Sequence, residues 1–289
     1  MERMAILGSR GQLGRDLCPI LAGEVFPLSR TEADLENSQI TLATLDSLKP
    51  SLVVNCAAFN LVDKAEAEPE ASYRVNAWGL KPLAMWCAQN NARLVHFSTD
   101  YVFGLDATRS NPYFETDLPG PVSQYGSSKL AGEFMVRTHC PNHLIIRTCG
   151  LYGLWGTGGK GGNFVETMLR LAAQGKPLRV VADQICTPSY TCDVAQAAAQ
   201  LIQSPCTGIF HLTNSGECSW YEFAAEIFRQ AGVLANLMAI TSAEFCAPAK
   251  RPSYSVLNSS RLQESQVPPL RPWRHALAAY LQERKNRPN

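Results

Sequence analysis

The sequence lacks the features that mark membrane proteins and nucleic-acid-binding proteins. No apolar run approaches the ~20 residues that a membrane-spanning helix requires, and the 289 residues carry a net charge of only +1. Because neither sign of charge is in excess, the chain gains no overall attraction to nucleic acid or to a lipid surface. It also contains no internal repeat or low-complexity tract. We therefore expect a globular protein that binds neither nucleic acid nor membrane.

Paired cysteines are absent too, although the chain contains ten cysteines. None belongs to a Cys-x-x-Cys pair or stands at a zinc-ligand spacing with histidine, so we expect no metal site. Several lie in apolar runs, such as Cys56 within residues 53–58, where a thiol behaves as a small hydrophobic side chain. We also expect no secretory leader, because the first apolar run, at residues 4–7, leads directly into a glycine-containing turn. Together these features predict a cytoplasmic protein whose thiols are reduced.

Short apolar runs alternate with helical patterns along the chain. The first half predicts strands at 4–7, 24–28, 51–55, 93–98 and 143–147, and helices at 11–21, 40–48, 71–90 and 124–137. The second half predicts helices at 163–174, 191–203 and 219–232, and strands at 178–182 and 208–212. Because such strands form a parallel sheet covered by helices on both faces, the pattern predicts a Rossmann-like, doubly wound α/β fold.

The composition of the chain changes after residue 152, where a glycine-rich stretch begins. We expect residues 1–152 to form a dinucleotide-binding Rossmann domain. Residues 153–289 are predicted to form mainly a smaller C-terminal substrate-binding lobe. Some strands and helices at about 178–212 are expected to pack with the first domain and complete its sheet.

Three glycines at positions 8, 11 and 14 follow the first predicted strand and open a helix. Gly8 and Gly11 allow a tight turn and close approach of the backbone to a pyrophosphate, and the helix N-terminus offers free N–H groups. This context predicts a dinucleotide site. A purely structural turn between strand and helix is the alternative.

The end of the second predicted strand bears on the choice of dinucleotide. Ser29 and Arg30 stand there, with no carboxylate before Glu32, and arginine is suited to a ribose 2′-phosphate. This favours NADP(H) over NAD(H), although Arg30 could instead stack on adenine or face solvent. Asp34, followed by Leu35, could accept a hydrogen bond from the adenine amine; the alternative is that Asp34 caps a helix.

A tyrosine and a lysine four positions apart carry the candidate chemistry. On the helix predicted at 124–137, Tyr125 and Lys129 project from one face. An ammonium near a phenol favours the phenolate, so we expect Lys129 to lower the pKa of Tyr125 toward working pH. Thr99, at the end of a strand, could hydrogen-bond a carbonyl that receives hydride, while Asp100 binds a sugar hydroxyl or assists proton delivery. The alternative for Thr99 and Asp100 is that they form a simple turn. The alternative for Tyr125 and Lys129 is that both are surface residues of an amphipathic helix.

With these motifs in this order, the chain resembles the extended short-chain dehydrogenase/reductases and, among them, the dTDP-4-dehydrorhamnose reductase family. The resemblance implies NAD(P)H-dependent reduction of a 4-keto-6-deoxy nucleotide-sugar by a monomer or homodimer. The segments that carry it are 54–58, 62–70, 98–103, 125–133, 147–148, 152–153, 163–164, 183–184 and 251–252.

The resemblance also implies roles for individual residues. The catalytic residues would be Thr99, Tyr125 and Lys129. The cofactor-binding residues would be Gly8, Gly11, Gln12, Leu13, Ser29, Arg30, Asp34, Leu35, Ala57, Ala58, Phe59, Asn60, Tyr125 and Lys129. The substrate-binding residues would be Thr99, Asp100, Asn163, Gln184 and Arg251. A guanidinium suits a diphosphate, but a surface arginine before proline is the alternative reading of Arg251.

The chain departs from the family at one position in the candidate site. The family often has tryptophan after Arg-Thr-Ser, packed on the sugar, whereas Cys149 and Gly150 stand here. This leaves the identity of the sugar and the reactivity of Cys149 open. The glycine-rich loop at 153–162, which contains Trp155, could supply a replacement surface. Magnesium at a dimer contact of some relatives is not carried over, because Arg15 and Asp16 replace the expected acidic cluster.

Three other functions are compatible with the same scaffold. A dehydratase needs a second acid after Asp100, where Tyr101 stands. An epimerase that recycles tightly held NAD gains nothing from Arg30. A regulatory subunit would bind dinucleotide without turnover, whereas the intact Thr99, Tyr125 and Lys129 favour catalysis.

Overall fold

The computed structural model describes residues 2–155 and 162–287. Its strands are β1 (Arg3–Leu7), β2 (Glu24–Leu28), β3 (Leu52–Asn55), β4 (Arg93–Thr99), β5 (His143–Thr148), β6 (Leu151–Tyr152), β7 (Leu178–Val181), β8 (Ile185–Cys186), β9 (Ser189–Tyr190), β10 (Gly208–His211), β11 (Cys218–Ser219) and β12 (Leu237–Ile240). Its helices are α1 (Gln12–Leu17), α2 (Ser38–Leu48), α3 (Val62–Ala67), α4 (Pro69–Tyr73), α5 (Leu80–Gln89), α6 (Gln124–His139), α7 (Phe164–Ala172), α8 (Thr191–Gln203), α9 (Trp220–Ala231), α10 (Ser242–Phe245) and α11 (Trp273–Asn286).

A six-stranded parallel sheet forms the main body, in the order β10-β5-β4-β3-β1-β2. Strand β3 is buried along its whole length, as expected for a sheet covered on both faces. One apolar layer joins the sheet to α1 and α8, and the other joins it to α2, α5 and α6. The predicted doubly wound fold is confirmed. Within the described residues no helix is both long and apolar enough to cross a membrane.

A smaller lobe packs around aromatic side chains contributed by α9, α11 and the short strands β6 and β9. Phe223 and Tyr280 are fully buried there, both against Tyr152. Within residues 178–212, helix α8 packs against α1 and β10 pairs with β5, whereas β7 pairs with β12 of the smaller lobe. A capping box opens α9, in which the Ser219 side chain accepts from the Glu222 N–H and the Glu222 carboxylate accepts from the Ser219 N–H.

The prediction of one long helix over 71–90 is wrong. The structure has α4, a π-helical turn over Arg74–Trp78, and then α5. Buried Asn76 lies in that turn, where it accepts a hydrogen bond from the N–H of Phe59 and donates one to the Phe59 carbonyl, both at 2.9 Å. It also donates to Ser128 of α6 at 3.0 Å. We infer that these tertiary contacts, which no helical pattern reveals, outweigh regular helix geometry at this point.

Candidate active site

A cleft of about 390 Å³ opens beside the carboxyl ends of the central strands, which is where ligands bind in doubly wound sheets. The sequence-predicted residues that line it are Gly11, Gln12, Leu13, Ala58, Asn60, Thr99, Asp100, Tyr125, Lys129, Asn163 and Gln184. Those that lie outside its described lining are Gly8, Ser29, Arg30, Asp34, Leu35, Ala57, Phe59 and Arg251. The structure thus brings the catalytic candidates together with the glycine turn.

The glycine turn is held against the end of β3. Gly8 has φ +72°, and a Cβ there would lie 2.6 Å from the Ala57 nitrogen. Packing within the protein therefore already requires glycine at this position. Gly11, in contrast, lines the cleft immediately before α1 begins. Backbone at that point is accessible to a ligand.

The loop after β2 forms a small charged network. The Arg30 guanidinium pairs with Asp34 at 3.1 Å and with Glu36 at 2.5 Å, while 73% of its side chain remains exposed. Asp34 also accepts a hydrogen bond from the N–H of Glu36 at 3.0 Å. The alternative that Asp34 caps a helix is wrong, because Asn37 caps α2. Arg30 is therefore partly neutralised yet still open to an incoming anion.

Tyr125 stands in the first turn of α6, which approaches the end of β4 closely. A Cβ at Gly126 would lie 2.2 Å from the Tyr101 carbonyl oxygen, so only glycine permits this approach. Ser123 caps the helix by accepting from the Gly126 N–H at 3.1 Å. This close packing brings the phenol of Tyr125 to Thr99, and both residues line the cleft.

The expectation that Lys129 lowers the pKa of Tyr125 is wrong for this structure. Burial raises the pKa of Tyr125 to about 12, and a hydrogen bond with Thr99 opposes that shift. The amino group of Lys129 instead contacts the Phe97 carbonyl oxygen at 2.7 Å and His96 Nε2 at 3.3 Å. Burial lowers the pKa of Lys129 to about 8. At neutral pH the phenol is therefore a protonated donor.

Asp100 is buried and surrounded by protein donors. It accepts hydrogen bonds from the Cys149 thiol at 3.1 Å and from the Thr99 hydroxyl at 3.2 Å. Burial raises the pKa of Asp100, while bonds from Ser255, Cys149 and Thr99 oppose the shift. Burial also raises the pKa of the Cys149 thiol well above its usual value. Cys149 is thus a protonated donor rather than a reactive thiolate.

The remaining substrate candidates all contact other parts of the protein. Asn163 caps α7 and donates to the Gly153 carbonyl oxygen at 2.8 Å. Gln184 donates to Ser242 at 2.9 Å. Arg251 is mostly buried and pairs with Asp63 at 2.9 Å, so the reading of a free surface arginine is wrong.

Trp155 lies away from the cleft, so it does not replace the aromatic ring missing at Gly150. Its indole N–H donates to Asp16 at 2.8 Å, and the ring is covered by the guanidinium of Arg287, 3.9 Å from its centroid. Trp220 does line the cleft, with Cη2 3.5 Å from the Cβ that Gly150 would carry. The rest of the loop, residues 156–161, lies outside the described residues.

Sequence reasoning missed Trp220, Asn55 and His96. No sequence pattern distinguishes a tryptophan that begins a capped helix and lines a cleft from one that is buried in the core. Asn55 and His96 lie within apolar strands, and a polar residue interrupting such a run was the available signal. Over residues 2–155 and 162–287, no group of three His, Cys, Asp or Glu side chains is placed to hold a metal ion.

Comparison with known proteins finds similarity over the full length of the chain. The family model described as the RmlD substrate binding domain matches residues 2–286. The spore coat polysaccharide biosynthesis protein SpsK of Bacillus subtilis is 40% identical, with 99% of each chain covered. The dTDP-4-dehydrorhamnose reductase of Aggregatibacter actinomycetemcomitans is 39% identical, covering 96% of this chain and 97% of its own. The crystal structure of dTDP-4-dehydrorhamnose reductase from Bacillus anthracis in complex with NADP superposes with a TM-score of 0.91 at 35% identity, covering 98% and 99% of the two chains.

Proposed function

The chain belongs to the RmlD substrate binding domain family, and from this premise we propose that it catalyses NADPH-dependent reduction of a dTDP-linked 4-keto-6-deoxy sugar. The reaction is of the type that converts dTDP-4-dehydrorhamnose to dTDP-rhamnose. The observation that carries the proposal is that Thr99, Tyr125 and Lys129 share one cleft with the glycine turn. Full-length similarity to reductases named for this reaction supports it.

The residues present fit NADPH. Backbone at Gly11 faces the cleft, and Arg30 offers an accessible guanidinium at the end of β2, which suits a 2′-phosphate. In this proposal Gly11, Gln12 and Leu13 hold the pyrophosphate, and Ser29 and Arg30 hold the 2′-phosphate. The remaining cofactor contacts are assigned to Gly8, Asp34, Leu35, Ala57, Ala58, Phe59, Asn60, Tyr125 and Lys129.

NADPH, when bound, supplies the hydride. Tyr125 supplies the proton to the sugar oxygen, because its phenol stays protonated at neutral pH. When the sugar binds, the Thr99 hydroxyl turns its one proton from Asp100 to the same oxygen and stabilises the negative charge that develops there. Asp100 then keeps its hydrogen bond from the Cys149 thiol.

The sugar in this proposal packs on Trp220. Its ring lies beside Gly150, the position where the family often carries its own tryptophan. Phe164, which also lines the cleft, packs against the indole with ring centroids 4.7 Å apart. Asn163, Gln184 and Arg251 are assigned to the nucleotide and diphosphate, and residues 153–289 mainly to the lobe that holds them.

The test is a loss of nicotinamide absorbance when the protein is mixed with NADPH and a dTDP-4-keto-6-deoxy sugar. We expect turnover with the keto-sugar and none with dTDP-glucose, which has no carbonyl to receive hydride. Tight NADPH binding without oxidation on any keto-sugar would contradict the proposal and indicate a regulatory dinucleotide-binding subunit. Formation of a 4-epimer with no net change in cofactor would indicate an epimerase.

We also propose that the enzyme works in the cytoplasm as a monomer or homodimer. All ten cysteines lie within the described residues and are free thiols, which suits a reducing compartment. Sedimentation equilibrium distinguishes the two assemblies, and a larger oligomer would contradict this part of the proposal.

A further inference from the structure

Three buried polar side chains form a line that ends at the candidate catalytic lysine. Asn55 at the end of β3 and His96 in β4 are fully buried, and Lys129 of α6 is only 2% exposed. Asn55 Nδ2 lies 3.0 Å from His96 Nδ1, and His96 Nε2 lies 3.3 Å from Lys129 Nζ. A buried histidine between a fixed amide and a lysine must satisfy both neighbours with a single proton.

The backbone fixes where that proton resides. The Ala57 N–H donates to Asn55 Oδ1 at 3.0 Å, and an N–H can only donate, so the amide of Asn55 cannot be flipped. Asn55 therefore turns its NH₂ group toward His96, whose Nδ1 must accept. Burial, together with the charge of Lys129, lowers the pKa of His96 well below its usual 6.5. The neutral ring consequently carries its one proton on Nε2, facing Lys129.

An ammonium group has no lone pair, so it cannot accept a hydrogen bond from this N–H. A neutral amine can accept it and still donate to the Phe97 carbonyl oxygen, which lies 2.7 Å from Nζ. We propose that Asn55 and His96 are positioning residues for Lys129 that present an N–H rather than a lone pair to its amino group and so favour the uncharged amine.

The other groups around Lys129 do not reverse this preference. Glu133, one turn further along α6, attracts the ammonium, but its carboxylate is already paired with Arg147 at 2.7 Å. The Cys56 thiol faces Lys129 from the end of β3, and burial raises its pKa, so it carries no charge at neutral pH. Burial lowers the pKa of Lys129 to about 8, so both of its forms are populated near that pH.

The consequence for catalysis rests on the proposed function. After Tyr125 gives its proton to the sugar oxygen, the phenolate takes a proton from water in the cleft that Tyr125 and Lys129 both line, so an O–H bond of water breaks as the phenolic O–H bond reforms. The positive charge of the Lys129 ammonium in the same cleft favours that transient phenolate. The His96 N–H favours the amine and therefore lowers the pH above which this charge is lost.

The direct test is the tautomer of His96 in the wild-type protein. With only five histidines in the chain, ¹⁵N-histidine labelling and long-range ¹H–¹⁵N spectra resolve each ring, and His96→Gln assigns the signal. We expect Nε2 protonated and Nδ1 unprotonated. A proton on Nδ1 overturns the inference, and this readout requires no activity, so it fails independently of the proposed function.

Asn55→Asp tests the consequence with almost no change in shape. A carboxylate accepts from Ala57 and from His96 together, so the ring proton moves to Nδ1 and a lone pair faces Lys129. We expect the Lys129 titration, followed by its ¹³Cε shift, to move up by at least one pH unit, a change of about tenfold in the ratio of amine to ammonium. The alkaline limb of kcat/KM should move with it.

His211→Gln is the matched control, because it removes another buried histidine, one that contacts Arg147. It should leave the titration of Lys129 and the tautomer of His96 unchanged. If Asn55→Asp leaves the tautomer and the Lys129 titration at their wild-type values while the variant is folded, the inference is overturned. An equal shift of the titration in His211→Gln would also overturn it.

Discussion

The two ends of the proposed binding site differ in how they hold charged side chains. At the proposed catalytic end, between β4 and α6, Asp100 and Lys129 are both only 2% exposed, and protein donors and acceptors fix their positions. At the proposed adenosine end, in the loop after β2 and outside the described lining of the cleft, the Arg30 side chain is 73% exposed and pairs with two nearby carboxylates. The first end is a buried network, and the second is a solvated ion cluster.

The difference shows which properties of the site the fold controls. Burial shifts the pKa of a side chain through desolvation, and a buried hydrogen-bond network favours one arrangement of protons. Exposed ion pairs are screened by water and contribute little to stability. The buried network therefore determines which side chains are protonated. In contrast, we expect that a few substitutions on the surface can change the preference between NADPH and NADH.

Tyr125→Phe should have the largest effect, because it removes the proton donor from the buried end. We expect turnover to fall by about 10²–10⁴-fold, while NADPH affinity, measured by fluorescence titration, changes little. The control is Tyr73→Phe on α4, which should retain wild-type turnover. Wild-type turnover in Tyr125→Phe would remove the proposed mechanism.

Glu133→Gln and Glu36→Gln compare the two ends by stability. Glu133 and Arg147 form a salt bridge whose side chains are at most 2% exposed, so neutralising the acid leaves a buried charge and should cost about 3–5 kcal/mol. Glu36→Gln breaks exposed pairs and should cost about 0–1 kcal/mol. Urea unfolding measures both. Equal losses would show that burial does not separate the two ends.

Arg30→Gln should alter cofactor preference without affecting the chemistry. Loss of the contact with the 2′-phosphate should raise KM for NADPH about tenfold, corresponding to about 1.4 kcal/mol. KM for NADH and kcat should stay near wild-type values, because NADH has no 2′-phosphate. A matching rise in KM for both cofactors would place Arg30 elsewhere on the dinucleotide.

Trp220→Ala should have a smaller effect, confined to the sugar. An aromatic contact contributes about 0.5–1.5 kcal/mol beyond its buried area, so KM for the nucleotide-sugar should rise by roughly threefold to tenfold. Trp155→Ala is the control, since that ring packs against Arg287 outside the cleft. A larger effect from Trp155→Ala than from Trp220→Ala would contradict the assignment of the sugar platform.

Much of the fold was predictable because it rests on short-range patterns. The apolar runs that became β1, β3, β4 and β5 are buried on both faces, so composition alone identified them. The helix predicted over 71–90 failed because the π-helical turn is stabilised by contacts of Asn76 with Phe59 and Ser128, which are distant in sequence. Helix α11 was missed because it follows a polar, proline-rich stretch and its burial depends on the smaller lobe.

In the candidate site, too, local features could be predicted from the sequence and long-range contacts could not. The sequence by itself determined that Tyr125 and Lys129 lie on one helix face and that a glycine turn opens the first helix, because both follow from local geometry. Only the tertiary structure decided that the lysine contacts His96 instead of activating the phenol, and that Trp220 lies beside Gly150. Those outcomes depend on burial and on pairs of residues far apart in the chain, which only the packed molecule brings into contact.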